Sequence, residues 1–209
     1  MLPLEVLIPF IGAAFALSIS PGPDNIFVLT QSALYGRKAG VLVTLGLCAG
    51  LLFHTALVAF GVAVLFQTHA VAFIALKFVG ALYLLYLAWG AFLAVRNTQT
   101  LDAVEALSSI QLFKRGVVMN VTNPKVSIFF LAFLPQFAKP EIGPLMPQLF
   151  SLGLVFMGVA FSTFTAIAVF ASVIGEFFRR SVLLQKLLNG IACTVFVLLA
   201  LNLLLFSAL

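Results

Sequence analysis

Two short proline-containing stretches interrupt segments that would otherwise run as unbroken apolar helices. Ser20-Pro21-Gly22-Pro23-Asp24 lies in the first segment and Asn123-Pro124-Lys125 in the fourth. Proline has no amide N–H and crowds the preceding turn, so each stretch frees backbone hydrogen-bonding groups. Lipid cannot satisfy such groups. Broken helices therefore persist in a bilayer only where protein or a water-filled cavity surrounds them, which in transporters is where substrate and coupling ion are held.

The lipid setting follows from composition. Of 209 residues, 63% are hydrophobic and only 8% charged, with a mean hydropathy of +1.22, whereas soluble domains carry about a quarter charged residues. Apolar stretches fall at about residues 4–32, 39–66, 70–95, 116–137, 145–175 and 183–207, each at or beyond the length of about 20 residues that crosses the hydrocarbon core. The reading is an all-α membrane protein of six transmembrane helices in a single domain, residues 1–209. The start, Met1-Leu2-Pro3-Leu4-Glu5, lacks the basic residues of a cleavable signal peptide, so the first segment is expected to remain as a helix. At 29 residues it would span about 43 Å if straight, which leaves slack for an unwound middle.

Basic residues sort by loop. Arg37, Lys38, Arg96, Lys114, Arg115, Arg179, Arg180 and Lys186 follow odd-numbered helices, and Lys139 alone lies in an even-numbered loop. The positive-inside rule then puts the odd loops in the cytoplasm and both termini outside, in a multi-pass inner-membrane arrangement. A first helix that dips in and returns at Pro21 would instead place the N-terminus inside. Topology accounts for the net charge of +5, and no nucleic-acid partner is inferred from it.

Pro21 and Pro124 are 103 residues apart, and the residues before them, Ser20 and Asn123, are both N-cap types. Weaker matches follow, Leu45-Gly46-Leu47 with Leu152-Gly153-Leu154, and Lys77 and Gly80 with Lys186 and Gly190. A three-helix unit is odd in number, so a tandem pair must insert in opposite orientations, the inverted-repeat design of secondary transporters. The expected organisation is repeat 1 at about 1–95, a connector at 96–115 and repeat 2 at about 116–209, with helices 1 and 4 broken at Pro21 and Pro124. Leu101, Val104, Leu107 and Ile110 suggest a short surface helix within the connector.

Among the six acidic residues Asp24 alone lies deep. A carboxylate at that depth costs about 2.5–3.5 kcal/mol on insertion scales, so it either caps freed amides or handles substrate or proton. Lys125 follows Pro124 at a helix start, where the dipole disfavours a cation; either an anion sits beside it, Asp24 or a ligand carboxylate, or the side chain snorkels to the surface. His54 shares a helix face with Gly46 and Gly50 and is read either as a proton relay or as a hydrogen-bonded structural histidine. The two glycines permit close helix packing. Asn25, Gln31, Asn120 and Asn123 flank the breaks as donors to a ligand or to freed carbonyls. Lys77 is read as snorkelling outward, and Tyr83, Tyr86 and Trp89 as membrane packing or interface residues. Cys48 and Cys193 have no paired spacing, and neither a cofactor nor a dedicated metal site is expected.

Ser20-Pro21-Gly22-Pro23-Asp24-Asn25, Gly36-Arg37-Lys38-Ala39-Gly40 and Lys77-Phe78-Val79-Gly80-Ala81-Leu82-Tyr83-Leu84, then Asn123-Pro124-Lys125 and Phe129 to Phe137, resemble the LysE/RhtB family of bacterial amino-acid exporters. The resemblance covers nearly the whole chain. It implies a small inner-membrane carrier that moves amino acids such as threonine, homoserine, lysine or arginine outward at the expense of the proton gradient, and it alone supplies the direction. The family motifs fall on Ser20, Pro21, Gly22, Pro23, Asp24, Asn123, Pro124 and Lys125.

These readings combine into one expectation. Half-helix amides and Lys125 receive a substrate carboxylate, Asp24 receives the ammonium, and proton and substrate compete for Asp24, with His54 as a second proton-handling group. Partners are a small amino acid, a proton and lipid. The Gly-lined helix 2 and its Phe-rich faces are compatible with a homodimer. The lone deep acid favours small neutral substrates; export of basic amino acids, or of another solute or metal ion, is the alternative. An intramembrane enzyme using Asp24 and His54 would need a nucleophile or metal set, and no such spacing is present; a redox carrier would need Cys48 and Cys193 in reach of each other, which retained activity after their replacement by Ser would exclude.

Overall fold

The computed structural model of the chain describes residues 2–20, 22–68 and 107–180, with scattered residues between 78 and 93 and between 186 and 204. All regular structure among the described residues is helical. Pro21, Lys77, Gly80, Tyr83 and connector residues 96–106, all invoked above, lie outside them, as does much of the third and sixth apolar segments.

Helix α1 (Leu4–Ile19) ends at Ser20, whose ψ of 129° leaves the helical region. Helix α2 (Pro23–Tyr35) begins with Pro23 at its first position, where a missing N–H costs no hydrogen bond. The axes of this pair differ by 60°. Gly36, at φ +81°, ends α2 and turns the chain directly into α3 (Arg37–Thr68), a backbone conformation that side chains with a Cβ resist.

The second bent pair starts with α4 (Ser109–Val121), where the sequence reading placed connector up to residue 115. Ser108 and Gln111 form a reciprocal capping box, each side chain bonding the other's backbone N–H. This Ser-x-x-Gln pattern was available in the sequence and starts the helix early. Helix α5 (Pro124–Ile128) then runs into a π turn at Phe129–Phe133 and a 3-10 turn at Leu134–Phe137, and this pair bends by 49°. Helix α6 (Leu145–Arg180) completes the described bundle.

Arg37–Gly61 and Leu145–Val173 are each long and apolar enough to cross a bilayer, and counting each bent pair as one broken span makes four among the described residues. Apolar burial gives helices in lipid little reason to associate, so close packing of small residues takes its place. A Cβ added at Gly46 would strike the Phe113 carbonyl, and one at Gly116 would lie 2.5 Å from the Val43 carbonyl. Gly50 lies against Asn120 and Gly153 against Thr55 in the same way. The glycine stripe expected to suit a dimer is thus used inside the chain, between α3 and α4. Exposed Phe53, Leu57, Phe60, Phe161 and Phe170 remain on the outer faces, as a lipid-facing surface requires. Trp89 is exposed and stacks on Phe92 at 5.6 Å, and the two cysteines are free thiols.

Candidate functional site

Each break leaves the last carbonyls of one half-helix and the first amides of the next without helical partners. At the second break local groups take them up. Asn123 is the N-cap of α5, its Oδ1 accepting the Lys125 N–H at 3.0 Å, and its carbonyl accepts the Val126 and Ser127 N–H groups. Thr122 donates its hydroxyl to the Val118 carbonyl at 2.8 Å. The cap expected of Asn123 is present.

Ser20 does not make the matching cap. It closes α1 rather than opening α2, whose N-cap is Gly22 with no side-chain hydrogen bond. Two prolines stand in this stretch, and the one that begins a helix is Pro23. Matched by helix start, Pro23 corresponds to Pro124, an offset of 101 rather than 103. This register sets Asp24 against Lys125, each at the second position of its half-helix. The acid suits its own dipole and the base does not.

The base is compensated from across the fold. Lys125 is buried, and its Nζ donates to the carbonyls of Ser20 at 3.1 Å and Leu17 at 3.3 Å, at the negative end of α1. It does not snorkel to a surface. Gly22 makes the room, since a Cβ there would lie 3.0 Å from Nζ. Asn25 satisfies a third freed carbonyl, donating Nδ2 to Ser18 at 2.6 Å.

Asp24 is 1% exposed. The side chains of Asn120, Asn123, Lys125 and His54 surround it, and its Oδ1 has no hydrogen-bond partner. His54, 2% exposed, has Nε2 3.1 Å from the Asn120 carbonyl and its ring against Phe53 and Phe130. Further unpartnered polar atoms cluster in sequence around the breaks: the hydroxyls of Ser18 and Ser20, Oδ1 of Asn25 and of Asn120, and Nδ2 of Asn123. Each such buried atom costs about 1–3 kcal/mol, so their concentration here points to a site that exchanges partners.

Ser18, Asp24, Asn120 and Lys125 are the polar residues lining a cavity, together with apolar Leu17, Leu51 and Val126 and, from α6, Phe156, Ala160 and Phe164. Its free volume, about 10 Å³, is that of about one water molecule, so anything larger enters only if the walls separate. Of the residues singled out from sequence, Asp24, Asn120 and Lys125 line this cavity; Ser20 and Gly22 adjoin the Lys125 ammonium, Asn25 bonds the Ser18 carbonyl, and Asn123 and His54 stand near Asp24. Pro23 and Pro124 are exposed and act through the backbone.

A protein-family model described as LysE type translocator matches residues 15–207. The chain belongs to the LysE type translocator family. It is 34% identical over 163 residues to a homoserine/homoserine lactone efflux protein of Salmonella typhimurium, covering 78% of this chain and 79% of the relative. It is also 30% identical over 197 residues to a leucine efflux protein of Klebsiella pneumoniae, 93% and 92% of the two chains. An uncharacterized membrane protein of Pseudomonas aeruginosa is 33% identical over 187 residues, 86% and 84%. No solved structure matches. Membership places the chain among translocators rather than enzymes.

Sequence reasoning about this translocator missed Ser18 and the α6 wall. Ser18 carried a signal, a polar residue in the last turn before a break. Phe156, Ala160 and Phe164 carried none, because an apolar stripe on an apolar helix looks the same facing lipid or facing a cavity.

Proposed function

We propose that this LysE type translocator is a secondary active transporter that exports small neutral amino acids from the cytoplasm by proton antiport. One observation carries the reading: a buried lysine from the second break reaches the first, beside a buried carboxylate with an unpartnered oxygen. A zwitterion inserts into that arrangement without adding net charge. Its carboxylate takes Lys125 from the α1 carbonyls, and its ammonium takes Asp24, with Asn120 and Asn123 alongside. The α5 amides are already occupied by Asn123, so the carboxylate relies on Lys125 and the uncapped start of α2. A proton arriving on Asp24 from outside removes the ammonium's partner and releases the substrate; its loss to the cytoplasm restores the site.

The relatives' names, homoserine/homoserine lactone efflux and leucine efflux, support amino-acid substrates and the outward direction. Among the described lining residues Asp24 is the lone carboxylate, which supports neutral over basic substrates. In this reading the chain forms two inverted three-helix repeats in the inner membrane with both termini outside, and the two breaks rock about the shared site. His54 is the second proton-handling group, held by the Asn120 carbonyl.

The test is exchange in proteoliposomes under an imposed pH gradient. Asp24→Asn keeps the shape but carries neither the proton nor the charge that pairs with the ammonium; weakened substrate exchange and loss of pH-driven accumulation are the expected results. Normal pH-driven accumulation by this variant would refute the reading.

A further inference from the structure

The α6 wall of the cavity holds an assignment that the charges alone do not make. We infer that the stripe Phe156–Ala160–Phe164 receives the substrate's side chain, and that Ala160 limits its length, so the translocator selects aliphatic amino acids by the size of one wall residue. This rests on the zwitterion reading above.

The three residues are four apart and therefore share one face of α6. They are 2%, 1% and 4% exposed, and all three line the same cavity as Asp24, Asn120 and Lys125. The charged, amide and hydroxyl groups of the lining come from α1, α2, α4 and α5, whereas α6 contributes carbon alone. An occupant whose ammonium and carboxylate are held by Asp24 and Lys125 has its Cα pinned beside them. Its side chain is left facing carbon. The α6 lining offers no polar group, and with Asp24 the one carboxylate among the described lining residues a second ammonium has no anion of its own.

Within the stripe the Phe156 ring is held by its neighbours, while Ala160 has a side chain that can be enlarged. Phe156 is packed against Phe129 and Phe130, with ring centroids at 5.3 and 5.0 Å, and Phe130 in turn against His54 at 5.6 Å. Ala160 lies between the rings and is the smallest side chain of the wall. Depth at this point is therefore set by what occupies position 160. One methylene more or less in an apolar pocket changes discrimination by about 10- to 200-fold, so a single substitution should be readable.

The experiment is counterflow of labelled leucine in proteoliposomes, with unlabelled alanine, leucine, phenylalanine and lysine as competitors. The unaltered protein is expected to take leucine and alanine and to ignore lysine. Ala160→Leu should lower the preference for leucine over alanine by about tenfold or more, and Ala160→Gly should raise phenylalanine relative to alanine. An active pair of variants whose ratios stay within about twofold of the unaltered protein would overturn the inference, as would lysine competing as well as leucine. Should Ala160→Leu fail to fold, Ala160→Gly decides, an unchanged ratio again overturning it. Failure of the underlying reading looks different: Asp24→Asn and Lys125→Met would then transport normally, whatever position 160 does.

Discussion

The two helix breaks have similar sequences and opposite characters. The second is settled mostly by its own residues: Asn123, Thr122 and Ser127 act on partners no more than four residues away, and His54 reaches it from farther only at the Asn120 carbonyl. The first has no side-chain cap, and its α1 carbonyls are settled by Asn25 across the break and by Lys125 from 105 and 108 residues away. In the proposed cycle a competing carboxylate draws that borrowed ammonium off, so the first break is the one that a bound substrate disturbs more.

Lys125→Met should break the comparison most severely. It leaves the Leu17 and Ser20 carbonyls without a donor, at about 1–3 kcal/mol each, and strands Asp24. Lowered thermal stability in detergent together with abolished exchange is expected; a variant with the stability and transport of the unaltered protein would show that the lysine is not shared between the breaks.

Gly22→Ala tests the room left for the ammonium. Gly22 has an extended backbone that any residue adopts, so the substitution adds no backbone strain and acts through the 3.0 Å approach to Nζ. Exchange should fall about tenfold, equivalent to about 1.4 kcal/mol on the barrier, measured as initial rate at matched protein density. Undiminished exchange would mean that Nζ has other places to go.

The sharpest contrast comes from a pair with the smallest effects. Asn123→Ala removes a working cap and should cost about 0.5–2 kcal/mol of stability, read as a lowered melting temperature. Ser20→Ala removes a hydroxyl that bonds nothing, so stability should stay level or rise slightly while exchange slows. If both variants lose stability equally, the two breaks are alike after all.

Much of the site was legible because its signals are local. An N-cap followed by proline identifies the start of α5 at Asn123, and a lone acid inside an apolar segment identifies Asp24 without any neighbour being known. Ser20 was misassigned for a local reason too, since either proline of its stretch could open a helix and only the backbone at Gly22 distinguishes them. The glycines of α3 were read correctly as close-packing residues, yet their partner α4 was not. Ser108 and Gln111 announced the early start of α4 and were passed over as connector.

The amino-acid order alone determined that this chain belongs in lipid, where its helices break, and which acid and base stand at the breaks, because hydropathy, proline geometry and charge are properties of short segments. Only the tertiary structure decided that Lys125 settles the carbonyls of α1 and that one face of α6 rather than another closes the cavity. Those pairings join residues far apart along the chain, and whether an apolar face meets lipid or a substrate depends on which helices the fold sets beside it.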